Sequence, residues 1–150
     1  MDLAPIDLDA HRAGALGPLP RDLPPGIDHH GLAPGLAAVF VLAMLGRLAA
    51  RLDDWRVLVN CAAVFRYDDG AAIDPSIFAE AITVNAETPT RMAQAFLAQA
   101  RAKGGKRVIQ FLDQKLLNPN PDFFSYTMAK QAFAATVAML AMAQDDPAHR

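Results

Sequence analysis

A single cysteine, Cys61, stands in a chain of 150 residues, so no internal disulfide can form, and a reducing, cytoplasmic setting is the expectation. Neither sign of charge is in marked excess. Fourteen Lys and Arg against 16 Asp and Glu leave a net charge of -2, which argues against a nucleic-acid-binding face. No uncharged run reaches the roughly 18 to 20 residues of a membrane span. The longest, Gly31 to Gly46, is followed by Arg47 and Arg51 and reads as a buried helix. The start lacks the basic region of a secretory signal and carries Asp2, Asp7 and Asp9 there instead. A phosphate-cradling glycine loop is also missing, because Gly26, Gly31 and Gly35 precede a helix without a strand directly before them. Asp28, His29 and His30 have no Cys or His partner at ligand spacing, so a solvated loop is expected there and no metal site.

What the chain does have is apolar content, 53% by residue, enough for one domain with a core. Residues 1–35 are broken by Pro5, Pro18, Pro20, Pro24, Pro25 and Pro34 and show no sustained period, so this segment is expected to be irregular or disordered. The domain is expected over 36–150. Leu36, Val39, Phe40, Ala43, Met44 and Leu48 keep helical spacing up to Asp53 and Asp54. Val57, Leu58 and Val59 form a continuous apolar run, the mark of a strand covered on both faces in a parallel sheet. A loop follows from Phe65 to Pro75. Ser76 or Asp74 caps a helix from Ile77, Thr88-Pro89 bends or restarts it, and it runs to Lys103, where Gly104 and Gly105 close it. Arg107–Asp113 reads as a second strand. Strand, crossover helix and strand imply an α/β fold, with ligands collecting at the carboxyl ends of the strands, where Asn60 and Asp113 lie.

A last helix is expected from about Phe123 to Gln144. On one edge Tyr126, Lys130, Phe133, Val137 and Leu140 recur at steps of four and three. A lysine on a core-facing edge pairs a charge or lines a cleft. Tyr126 and Lys130, four apart, can serve one site. An ammonium beside a phenol favours the phenolate and lowers the tyrosine pKa from about 10, which suits proton transfer. Met128, Ala132, Ala135, Met139 and Met142 take the remaining sides, so this helix either buries a second face against a partner subunit or is an alanine-rich helix of a monomer.

Taken in order, Leu58-Val59-Asn60-Cys61-Ala62-Ala63, Val84-Asn85 and Tyr126-x-x-x-Lys130 resemble the Asn-Asn-Ala-Gly strand, the helix asparagine and the Tyr-x-x-x-Lys motif of the short-chain dehydrogenase/reductase family. The resemblance covers roughly residues 56 to 150. Asp113 stands where most members place a serine, and with Phe65 this is similar to the pteridine reductase branch.

The resemblance implies a partial Rossmann-like, doubly wound parallel sheet. It also implies an enzyme that uses NADP or NAD and acts on a small-molecule substrate, pterin-like or carbonyl. By the same likeness Tyr126 is the proton donor, and Lys130 lowers its pKa and holds the nicotinamide ribose. Asn85 fixes a relay water, and Asp113 orients the proton destined for a ring nitrogen. The carboxylate also opposes the lysine and keeps the phenol protonated. Asn60, Ala62, Ala63, Tyr126 and Lys130 would bind the cofactor, and Phe65 and Asp113 the substrate. Phe65 either stacks on a flat pterin or is a loop aromatic covering the core. The implied assembly is a homo-oligomer through the helices at 76–103 and 123–144.

Departures from the pattern leave an alternative open. Nothing in residues 1–55 matches the family's opening strand and glycine loop, Cys61 and Ala63 replace Asn and Gly, and relatives continue beyond the point corresponding to Arg150. The chain then reads as a fragment of a family domain, and the second expectation is a catalytically inactive remnant that only pairs with a fuller subunit.

Overall fold

The structure, a computed structural model, describes residues 34–145. The irregular segment expected at the amino terminus and the Asp28-His29-His30 group lie outside the described residues, except that Pro34 and Gly35 open the first helix. That helix, α1, spans Pro34–Arg51. It is followed by strand β1 (Val57–Asn60), helices α2 (Pro75–Ile82) and α3 (Thr88–Gln99), strand β2 (Arg107–Gln110) and helix α4 (Phe124–Asp145). Among the described residues no helix is long and apolar enough to cross a membrane.

Asp74 is the cap of α2: its carboxylate accepts from the amides of Ser76 (2.8 Å) and Ile77 (3.2 Å), satisfying donors that have no partner within the helix. Between α2 and α3 the chain makes a π-helical turn, Thr83–Glu87, directly before Pro89. The bend expected at Thr88-Pro89 takes this form, because a proline cannot donate to the preceding turn and the ladder there loosens by one residue. The helix ends at Gln99 and not at Lys103. Ala100 is extended and buried in the core, and the Arg101 carbonyl accepts from Trp55 N at 2.7 Å, so the chain leaves the helix in order to pair with the start of β1.

β1 and β2 pair in parallel, with Val57 opposite Arg107, Leu58 opposite Val108, Val59 opposite Ile109 and Asn60 opposite Gln110. The mixed α/β organisation with a parallel sheet is the expected one. The second strand is shorter than the expected Arg107–Asp113: after the Phe111 N to Asn60 O bond of 3.0 Å the two chains separate, and Asp113 caps a short 3-10 turn, Gln114–Leu116.

The core lies on the Leu58 side of the sheet, where Leu45 of α1, Phe96 of α3 and Ala100 are buried together with Val41, Leu42, Met92, Leu97 and Val108 around them. Trp55 meets Phe96 edge-on at 4.9 Å. α4 packs on α2 and the π-helical turn through Ala129 and Phe133, both buried. The expectation of a strand covered on both faces fails for the described residues. Val57, Val59 and Ile109 are 45%, 48% and 48% exposed, because the period-two alternation turns them away from α1 and α3, which lie on the opposite side.

Candidate active site

The separation of the two strands after Asn60 and Gln110 opens a mouth at their carboxyl ends, and α4 begins beside it. Asp113 has extended backbone there (φ -142°, ψ 152°). One carboxylate oxygen accepts from Lys115 N at 2.8 Å, and the other accepts from the Tyr126 hydroxyl at 2.6 Å. The Lys115 amide first, and then the phenol, hold the Asp113 carboxyl below its ordinary range. Tyr126 is pushed the other way, well above its ordinary value of 10.0, by burial first and then by the hydrogen bond to Asp113 and its charge.

Lys130, 4% exposed, donates to the Phe111 carbonyl at 2.9 Å and sits 5.8 Å from the centre of the Tyr126 ring. Burial lowers its pKa, with Asp113 acting against that. Tyr126, Lys130 and Asp113 thus converge. Of the two opposed influences expected on the phenol, the ammonium lowering its pKa and the carboxylate raising it, the carboxylate prevails. The carboxylate takes the hydroxyl directly while the lysine is engaged with a carbonyl, so the balance keeps the phenol protonated.

Asn85 is 1% exposed in the π-helical turn. Its Oδ1 accepts from Val64 N at 2.8 Å and its Nδ2 donates to Val64 O at 2.9 Å. Both ends of the amide are therefore engaged by one backbone residue, and the side chain acts as a clamp on the loop after β1. Phe65, next in that loop, is 53% exposed. It stacks on Phe123 at 4.0 Å with 13° between the planes and meets the Tyr126 ring edge-on at 4.5 Å. It borders the site and does not cover the core, and one of its faces is already taken by Phe123.

The remaining predicted cofactor residues lie at the end of β1. Asn60 and Ala62 line a largely apolar cleft of about 360 Å³ together with Val41, Met44, Val84 and Met92, and Ala63 follows, exposed. Asn60, 6% exposed, donates to the Pro89 carbonyl (3.1 Å) and to Gln110 Oε1 (2.8 Å), but its own Oδ1 is buried without a partner. The donor end of the neighbouring amide, Gln110 Nε2, is buried without a partner as well. Among the described residues no cluster of His, Cys, Asp and Glu could hold a metal ion.

Two site-forming residues escaped the sequence reading. Asp68, within the loop expected from Phe65 to Pro75, is buried and accepts from Ser125 N (3.0 and 3.2 Å) and from Ser125 Oγ. Phe123, at φ 54°, supplies the stack under Phe65. No local pattern marks either, since the partner of Asp68 is 57 residues along the chain and the ring that Phe123 stacks on is that of Phe65.

No family model matches this chain, and no curated protein matches it. Solved structures do. FolM alternative dihydrofolate reductase 1 from Brucella suis, in complex with NADP, is 29% identical over 69% of this chain and 42% of its own, with a TM-score of 0.63. The Brucella canis protein, complexed with NADP, gives the same figures. The angucycline C-6 ketoreductase LanV with bound NADP is 27% identical over 64% of this chain and 38% of its own, with a TM-score of 0.54. The chain thus spans about two fifths of the length of the structures it matches. The described residues form a Rossmann-like α/β fold of short-chain dehydrogenase/reductase type.

Proposed function

We propose that this chain carries the proton-donating part of an NADP-dependent reductase, NAD being the alternative cofactor, that reduces a C=N or C=O bond of a pterin-like or carbonyl substrate in the cytoplasm. The observation that carries the reading is the 2.6 Å hydrogen bond from Tyr126 to Asp113, with Lys130 packed alongside. A protonated phenol at neutral pH is an acid waiting for a base, and hydride transfer to a conjugated bond creates one. The NADP held by the FolM and LanV structures supports the cofactor.

The residues fit two ends of such a cofactor. Asn60, Ala62 and Ala63, at the end of β1 beside the apolar cleft, would hold one end. Tyr126 and Lys130 would hold the ribose at the other. When bound, a reduced nicotinamide supplies the hydride. The protein supplies the rest: Asp113 orients the Tyr126 proton, and Tyr126 gives it to the substrate nitrogen or oxygen. The phenolate then left beside the Asp113 carboxylate makes reprotonation part of the cycle, since two adjacent anions repel and Lys130 and Lys115 offset this only in part. Phe65, backed by Phe123, offers a flat surface for a ring substrate.

The proposed assembly is a homo-oligomer through α2–α3 and α4, with Met139 and Met142 on α4 exposed. The second reading, an inactive remnant that only pairs with a fuller subunit, is favoured by the open sheet face around Val57, Val59 and Ile109. Mixing the chain with NADPH and dihydrobiopterin, while following the reduced-nicotinamide absorbance, separates the two. Turnover that Tyr126→Phe abolishes supports the reductase, and no cofactor binding at millimolar concentration supports the remnant.

A further inference from the structure

Asp68 lies 57 residues before Ser125 and takes nearly every free donor at the start of α4. Its backbone carbonyl accepts from Phe123 N at 2.7 Å and Phe124 N at 3.4 Å. Its carboxylate accepts from Ser125 N and Ser125 Oγ, and Ser125 is fully buried. A helix begins with amides that have no partner inside it, and a carboxylate there meets both those donors and the positive end of the helix dipole. No nearer residue does this, because Phe123 is held at φ 54°, a conformation a bulky side chain adopts only where its surroundings impose it. The bridge of Asp69 to Asp122 and the Gly70 N to Pro121 O bond of 3.2 Å extend the same join. The next residue after Ser125 is Tyr126.

We infer that Asp68 is a positioning residue for Tyr126: by fixing the first turn of α4 and the left-handed Phe123, it sets both the phenol against Asp113 and the Phe123 ring under Phe65. The inference rests on the reductase reading for its catalytic consequence but not for its geometry. Asp68 touches neither the Asp113–Tyr126 pair nor the exposed face of Phe65, so it acts through the backbone. A one-residue relaxation of this turn moves the phenol out of reach of Asp113, since the bond is short and the helix axis carries any tilt to the side chain.

The chain has two tyrosines, so a Tyr67→Phe background leaves Tyr126 as the sole phenol, and its ionisation can be followed by ultraviolet absorbance. Asp68→Ala, Asp68→Asn and Ser125→Ala are made in that background and checked for folding by circular dichroism. Folded Asp68→Ala is expected to ionise Tyr126 at lower pH than the parent. It should lower kcat by about tenfold or more, as misplaced groups do, and raise the KM for NADPH, since Tyr126 is proposed to hold the ribose. Asp68→Asn, which keeps one acceptor, should restore part of both. An unshifted Tyr126 titration in folded Asp68→Ala overturns the inference. If that variant does not fold, Ser125→Ala, which removes only the hydroxyl bond, decides on the same titration. A parent without turnover counts against the reductase reading alone, since the titration needs no activity.

Discussion

Replacing Asn85 by alanine separates two roles for the same residue. If its side chain held a catalytic water, its loss would slow turnover and leave folding nearly untouched. In the structure it instead joins the π-helical turn to Val64 through both amide atoms at 2.8 and 2.9 Å, with 1% of its surface exposed. Alanine removes two hydrogen bonds, each worth about 0.5–1.5 kcal/mol net. Where the Val64 N–H or C=O left behind stays dry, the cost for that bond rises instead to about 1–3 kcal/mol. With one of the two reached by solvent, the sum is about 3 kcal/mol, a large part of the stability of a domain of this size. Urea denaturation at neutral pH is the assay, and with a slope of about 1.5 kcal/mol/M the midpoint falls by about 2 M. Asn85→Asp should do no better: one oxygen can still accept from Val64 N, but the other then faces the Val64 carbonyl as a second acceptor. A midpoint for Asn85→Ala within about 0.3 M of the parent, on the same slope, refutes the clamp and returns the residue to a purely catalytic role.

Phe96→Ala, at a ring that is 1% exposed and packed edge-on by Trp55, should cost about 3–5 kcal/mol, read by the same denaturation; a loss under about 1 kcal/mol would mean the core is elsewhere. Raising the pH tests the buried phenol. Tyr126 ionises in the unfolded chain near its ordinary value of about 10 but higher when folded. Its contribution is therefore complete below pH ~10 and falls away as pH climbs from there through the folded value. Lys130, whose folded pKa is lowered, acts oppositely just below its ordinary value, so the check is the difference between parent and Tyr126→Phe midpoints across that range, and a flat difference fails it. Asp113→Asn removes the carboxylate that raises the phenol, so Tyr126 should titrate lower than in the parent while turnover drops by about 100-fold; a higher or unchanged titration would mean that burial alone sets it.

The sequence was most legible where information is local. The helical period located α1 and α4 within a residue or two, and Asp74, one of the two caps expected for α2, is the one used, with the helix opening at Pro75 and not at Ile77, because a cap and its donors lie within three residues of each other. Tyr126 and Lys130 could be paired for the same reason. It was least legible where a residue answers to something far away. The helix ends at Gln99 because Trp55 N reaches the Arg101 carbonyl, and nothing around Lys103 announces that. β2 stops at Gln110 because the partner strand turns off, although Phe111 and Leu112 look like strand residues by type. The expected covering of both strand faces failed because a continuous apolar run reports what a strand can bury, not which layers are present to bury it. Proximity in sequence identifies the ammonium beside Tyr126, whereas the carboxylate that takes the hydroxyl lies thirteen residues away and is suggested only by the family resemblance.

Two aspartates therefore act on one tyrosine from opposite directions. Asp68 holds the backbone on one side of it, through the amides and hydroxyl just before it, and Asp113 holds the hydroxyl at the far end of the ring. Between them Phe65 meets the ring edge-on, and Lys130 sits over it at 5.8 Å. In the proposed reaction, a phenol restrained at both ends would lose little further freedom when a substrate arrives, so the hydrogen bond it must exchange, from Asp113 to a substrate atom, would be the main motion left to it. That exchange has a direction. As long as Asp113 is anionic it competes for the proton, and a substrate base wins only when hydride addition has raised its basicity. On the proposed reading the arrangement would withhold the proton from weak bases such as water and release it to the atom on which charge develops, as a buried acid with a high pKa must if it is to serve as a donor near neutral pH.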